Sequence, residues 1–215
     1  MIKLTKLPKS QVLEANADKW TKELMTYVNS GNKIPDTVKN RYNQTEVKET
    51  LKRETHCKCM YCESYISAVS PEHIEHYRPK ALYPEKTFEW ENLGLSCPWC
   101  NIKKKDEFDE NCAVINPYYE NPNDFFISLG TMIVHKPGNK RAELSENLLE
   151  LNRPELLECR KNAINNISPL LDRYKNESNP TLKRIIKENI EKEMTDEKPY
   201  AMCIRAYVCA SDVFT

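Results

Sequence analysis

Two short runs of this chain bring together residue types that do chemistry. Cys59 to Lys80 reads CMYCESYISAVSPEHIEHYRPK and Trp90 to Lys105 reads WENLGLSCPWCNIKKK. Each Cys-x-x-Cys knuckle offers two thiolates on a tight turn, so Cys59, Cys62, Cys97 and Cys100 form the four-sulfur set that a structural zinc ion prefers. Cys57 is an alternative to Cys59 as the first ligand. The 34 residues between Cys62 and Cys97 are too many for a simple zinc ribbon, so the clamp is expected to hold the ends of an inserted strand-loop-strand. Inside that insert, Glu75-His76 sets a carboxylate and an imidazole on adjacent, opposed side chains of an extended segment. Asn101 directly follows the last cysteine, and Lys104 lies one helical turn beyond it.

These residues resemble the HNH endonucleases, whose ββα-metal core carries a His base near the first strand, an Asn in the connecting loop and a His or Asn on the helix. The resemblance implies His76, Asn92 and Asn101 for those three places. Within that family, the runs CMYCE, IEHYRPK, WENLGLSC and CNIKKKDEF, followed by INPYYENP and LLELNRPELLECR, are similar to the PtuB-like nuclease subunits of Septu-type anti-phage systems. The similarity extends from about Cys59 to Arg160 and is strongest in its first half. It implies a PtuA-like ATPase as partner and as the source of target choice.

The residues support phosphodiester hydrolysis on physical grounds too. A neutral imidazole near its ordinary pKa can take a proton from water, which makes His76 the candidate base. Magnesium, or another hard divalent cation, would sit between the oxygens of Glu75 and Asn101, keep several waters and stabilise the departing oxygen. Asn92, with amide donors and an acceptor, is suited to tying the loop to backbone groups and holding the His76 strand in place. Lys104, with Arg78 and Lys80, could meet phosphate oxygens. Many HNH enzymes place Asp or His immediately before the base, whereas Glu75 has one methylene more, which alters its reach. The run Glu72-His73-Ile74-Glu75-His76 contains the Glu-His pair twice, so strand register could bring either histidine to the site. With His76 as base, His73 would be a metal ligand or a support to one. The competing reading is a non-catalytic zinc module that binds nucleic acid or scaffolds a complex.

Charge bears on the substrate. Lys plus Arg number 32 and Asp plus Glu number 32, so no net positive field favours strong non-specific binding to nucleic acid. From Arg78 to Lys105, however, six basic residues face three acidic ones, a local excess of three. No base-reading helix is recognisable. No apolar run is long enough for a membrane span, and MIKLTKLPKSQ lacks the apolar stretch of a signal peptide. With thiolates needed at the knuckles, a reducing cytoplasm is expected. Cys112, Cys159, Cys203 and Cys209 read as small buried hydrophobes.

Around the insert, periodicity predicts helices. Leu13, Ala17, Trp20, Leu24 and Val28 recur at helical spacing, with Gly31 as a stop. Val38 and Tyr42 continue on one helical face, and Val47 with Leu51 marks a further segment. FFISLGTMIVH suggests a hairpin turning at Leu129-Gly130, with no role assigned to His135. Asn152 reads as the N-cap of a helix with Pro154 in its first turn, running through Leu156, Ala163, Ile164, Ile167 and Leu171, and further helices are expected near Leu182 to Met194 and Tyr200 to Cys209. The expected fold is α+β and mainly helical: an N-terminal helical segment (1–56), a zinc-bound ββα core (57–115), and a hairpin with C-terminal helices (116–215), packed as one unit.

Overall fold

The computed structural model describes residues 1–66, 72–212 and 214. The fold is α+β and mainly helical. In chain order it comprises α1 (Gln11–Ser30), α2 (Asp36–Lys39), α3 (Thr45–Thr55), β1 (His73–His76), β2 (Leu93–Ser96), α4 (Pro98–Lys104), β3 (Phe126–Leu129), β4 (Met132–His135), α5 (Lys140–Leu148), α6 (Pro154–Asn176), α7 (Pro180–Glu193) and α8 (Ala201–Ala210). Residues 67–71, part of the insert expected after the first knuckle, lie outside the described residues.

Strands β1 and β2 pair antiparallel, with Ile74 opposite Leu95 and His76 opposite Leu93. Side chains alternate across a strand, so these four occupy one face while His73, Glu75, Gly94 and Ser96 occupy the other. The first face completes a core with Leu13 and Leu24 of α1 and Val47 and Leu51 of α3, joined by Phe88 and Trp90. The second face receives the first knuckle. Met60 N–H donates to Leu95 O at 2.9 Å, and a Cβ on Gly94 would fall inside the envelope of the Met60 thioether. The absence of a side chain there is what lets the knuckle lie against the sheet.

A second core gathers the chain's opening residues Met1, Ile2 and Leu4, the knuckle residues Met60 and Tyr61, and Leu151, Leu156, Ala201 and Met202. It therefore draws on all three sequence segments. A third core joins α6, α7 and α8 through Ile167, Leu171, Ile186, Ile190, Ile204 and Val208. Helix α1 ends at Gly31 in the left-handed conformation (φ 68°), where a glycine pays no Cβ penalty.

Several local expectations shift. Tyr42 does not continue a helix: the chain leaves α2 at Asn40 and turns through 40–44, with Asn43 N–H donating to Asn40 O and Gln44 N–H to Tyr42 O. The sequence Asn-Arg-Tyr-Asn-Gln offers the turn-forming side chains that compete with helix. The N-cap of α6 is Arg153 rather than Asn152. Asn152 instead grips the hairpin, accepting from Ile133 N–H at 2.9 Å and donating to Ile133 O at 2.7 Å. Helix α5 carries little periodic signal in the sequence, because only Ala142 and Ser145 are buried on it and its apolar stripe is weak. Of the four cysteines expected inside, Cys203 is buried, Cys112 is half-buried, and Cys159 and Cys209 are exposed on helix faces.

The Gly94–Met60 approach sets a test of the packing. Gly94→Ala is expected to cost about 1–3 kcal/mol in urea unfolding, the usual penalty of overpacking. Adding Met60→Ala should remove part of that cost, a coupling that a double-mutant cycle measures.

Candidate active site

The four knuckle cysteines converge. Their Sγ atoms all lie within 4.8 Å of one another, and Cys62 and Cys97 Sγ are 3.9 Å apart. A tetrahedral ion with metal–sulfur bonds of about 2.3 Å requires sulfurs about 3.8 Å apart, so the set fits a metal ion. Cys57 is exposed and outside the cluster, held in a left-handed turn at the end of α3 (φ 58°). Hydrogen bonds from Cys100, Cys59 and Cys97 hold the Cys62 thiol well below its ordinary pKa, while burial pushes Cys59 well up. Protons thus have to remain on part of the set unless a cation replaces them. Cys97 also caps α4, its Sγ accepting from Cys100 N–H at 3.5 Å, so the clamp fixes where that helix begins.

From this corner α4 carries Asn101 toward β1. Asn101, Glu75, His76 and His73 line one cleft of about 320 Å³, shared with Tyr42, Lys80 and Lys105. His76 is 8 % exposed and its Nε2 lies 3.0 Å from Thr87 O. A carbonyl can only accept, so Nε2 carries the proton and Nδ1 is the basic nitrogen. Burial, and then the charge of Lys80, push its pKa down to about 3, which keeps the imidazole neutral but, unlike the ordinary pKa expected from the sequence, makes it a weaker proton acceptor. The ring of Tyr42 stands edge-on to it, centroids 4.5 Å apart. His73 shares the face of Glu75 rather than that of His76, so register places both histidines along the cleft on different sides of β1.

Asn92 is buried in the 3-10 turn Trp90–Asn92 and ties two loops together. Its Oδ1 accepts from Arg78 N–H at 2.7 Å, and its Nδ2 donates to Arg78 O and Lys86 O, each at 3.0 Å. Its own carbonyl accepts from Tyr77 N–H at 2.9 Å. An aspartate could make only the first of the side-chain bonds.

Glu75 and Lys104 form a buried pair. Lys104 Nζ is 2.8 Å from Glu75 Oε1 and donates to His76 O at 3.1 Å. The Tyr61 hydroxyl also donates to Oε1, at 3.3 Å. Among the described residues Oε2 takes no hydrogen bond, so Glu75, which lines the cleft, could offer that oxygen to a cation. Burial raises the Glu75 pKa against the opposing charge of Lys104. The phosphate contact expected of Lys104 is closed to it: its side chain is fully buried and its ammonium is spent on Glu75 and the β1 backbone. Arg78 is likewise engaged, making a two-pronged pair with Glu110 at 2.9 and 3.0 Å and lying over Tyr83 and Phe108. Sequence reasoning missed Tyr42 at this site, since nothing in a helical reading of Val38 and Tyr42 brings that ring to His76.

The knuckles, strand pair and short helix coincide with a family match: residues 59–107 match the family model described as HNH endonuclease, so this segment is similar to that family. More particularly, the chain is similar to two curated proteins, each called Septu protein PtuB. One, from Bacillus mycoides (strain KBAB4), is 31% identical over 157 residues, covering 59% of this chain and 53% of the relative. The other, from Bacillus thuringiensis, is 34% identical over 79 residues, covering 36% of this chain and 31% of the relative. The matches thus span about half of the first relative's length and a third of the second's.

The depressed His76 pKa has a consequence for stability. Between the unfolded value of 6.5 and the folded value of about 3, the unfolded chain binds a proton that the native imidazole refuses. The contribution is therefore complete above pH 6.5 and is lost as pH falls toward 3. Urea unfolding from pH 6.5 to 5 should show a loss of up to ~1.4 kcal/mol per pH unit that is absent in His76→Gln. Equal slopes in the two proteins would contradict this placement of the ring.

Proposed function

We propose that the chain is the nuclease subunit of an anti-phage system of the Septu type, a metal-dependent HNH endonuclease that hydrolyses phosphodiester bonds of nucleic acid, DNA foremost. The observation that carries this reading is the shared cleft of His76, Glu75 and Asn101 inside the HNH-matched segment. Nδ1 of His76 accepts the proton of the attacking water, with Nε2–H anchored on Thr87 O to fix ring and tautomer. Glu75 Oε2 and the Asn101 amide oxygen would hold the divalent cation, magnesium by the hardness of both oxygens, and His73 stands on the Glu75 face as a further ligand. Bound there, a hard divalent cation would supply Lewis-acid stabilisation of the phosphate and the leaving oxygen. Lys104 neutralises and orients Glu75, while Asn92 fastens the loops on either side of His76. The four cysteines hold zinc as a structural ion.

The near-neutral charge of the chain gives weak grip on nucleic acid alone, which supports assembly with a PtuA-like ATPase that selects the target. The similarity to Septu protein PtuB supports the same partner. No described helix is long and apolar enough to cross a membrane.

Plasmid incubated with magnesium and the protein, with and without the ATPase, tests the activity. His76→Ala should lower cleavage by about 10²–10⁴-fold, the contribution of a positioned base. Unchanged cutting by His76→Ala would remove the assigned base, and no cutting by wild type in either condition would favour a non-catalytic zinc module. Elemental analysis should find one zinc per chain. Cys97→Ser should lose it together with several degrees of Tm, because capping and clamp fail at once.

A further inference from the structure

Most cations near the cleft are already neutralised. Among the six basic residues from Arg78 to Lys105, Arg78 pairs with Glu110, Lys86 with Glu89, Lys103 with Glu150 and Lys104 with Glu75. Lys80 and Lys105 form no ion pair among the described residues, and both line the cleft. The local positive excess read from the sequence thus resolves into two side chains facing one cavity, reaching it from the loop after β1 and from the end of α4.

Lys80 is the more built of the two. Its half-buried ammonium donates to the Tyr42 hydroxyl at 2.8 Å and lies 3.4 Å from Asn40 Oδ1, with the Tyr42 ring 4.8 Å away. These hydrogen-bond partners are neutral, and the exposed Asp36 feels the charge only from beyond ion-pair distance, so the ammonium is oriented without a contact ion pair. The same Tyr42 ring packs edge-on against His76. One aromatic residue from the turn between α2 and α3, outside the segment matched to the HNH family, therefore touches both the free cation and the imidazole.

We propose that Lys80 and Tyr42 form a backbone-phosphate subsite next to the scissile bond, in which Tyr42 is a positioning residue that couples phosphate binding to the orientation of His76. The inference rests on the nuclease reading and deepens it: the ligand is a nucleic-acid phosphodiester, and the helical N-terminal segment contributes to substrate binding. An anionic oxygen meets Lys80 from the cleft, the Tyr42 hydroxyl holds the ammonium in place, and the ring limits rotation of His76.

Binding and cleavage are read separately. Anisotropy of a labelled oligonucleotide, without added divalent cation, gives Kd against salt. Lys80→Gln should weaken binding about three- to tenfold and flatten the slope of log Kd on log salt by about 0.7–0.9, the signature of one lost phosphate contact. Lys80→Arg should restore the slope. Lys86→Gln, whose cation is paired to Glu89 outside the cleft, should leave it as in wild type. Tyr42→Phe keeps the ring and removes the hydroxyl, so Kd should rise about two- to fivefold. Tyr42→Leu should in addition lower kcat about tenfold through loss of ring contact with His76. Wild-type slope and Kd in both Lys80→Gln and Tyr42→Phe, in a protein that still cuts, would overturn the subsite. So would a loss in Tyr42→Phe confined to kcat. Failure of wild type both to bind and to cut nucleic acid would instead overturn the nuclease reading beneath it.

Discussion

Convergence of four sulfurs on one point sets the geometry of everything around them. Cys59 and Cys62 belong to a turn lying on β2, and Cys97 and Cys100 open α4 directly after β2. Helix α4 has only seven residues, too few to hold its place by propensity. Its start is fixed by the Cys97 cap and the clamp, and its far end by the buried Lys104 reaching Glu75 and the backbone of His76. Asn101 lies between these two anchors, so its approach to the cleft follows from both.

Polar groups buried beside the cleft are matched with care, as a low-dielectric setting requires. Glu75 has Lys104 and Tyr61 on one oxygen, His76 has Thr87 O on one nitrogen, and Asn92 uses both its donor and its acceptor capacity on backbone. In each of Glu75 and His76 one polar atom of the side chain holds the group in place, while the other takes no hydrogen bond among the described residues. A cleft built this way has its polar walls held in place by the chain's own hydrogen bonds.

The helical flanks do more than cover the domain. Helices α1 and α3 supply the core under the His76 face of the sheet, and the turn between α2 and α3 brings Tyr42 to the cleft. The opening residues and α8 close the core behind the first knuckle. An HNH segment cut at residues 59 and 107 would lose the apolar floor of β1 and the aromatic wall beside its imidazole.

Local spacing and turn chemistry write into the chain the four clustered sulfurs, the paired strands around Glu75-His76, the helix from Leu13 to Val28 with its glycine stop, and the hairpin at Gly130. Motif resemblance also pointed to Asn92 and Asn101. Which cations near the cleft lack an ion-pair partner among the described residues is settled by packing in three dimensions. Lys104 and Lys80 look alike in the chain, yet one is sealed against a buried carboxylate and the other faces the cavity with neutral partners. Packing likewise moved Tyr42 out of a helix and against His76, and turned Asn152 from a cap into a clasp on β4. Periodicity records which face of an element is apolar, whereas the pairing of a charge or the reach of a ring depends on segments distant in sequence, and no local pattern encodes them.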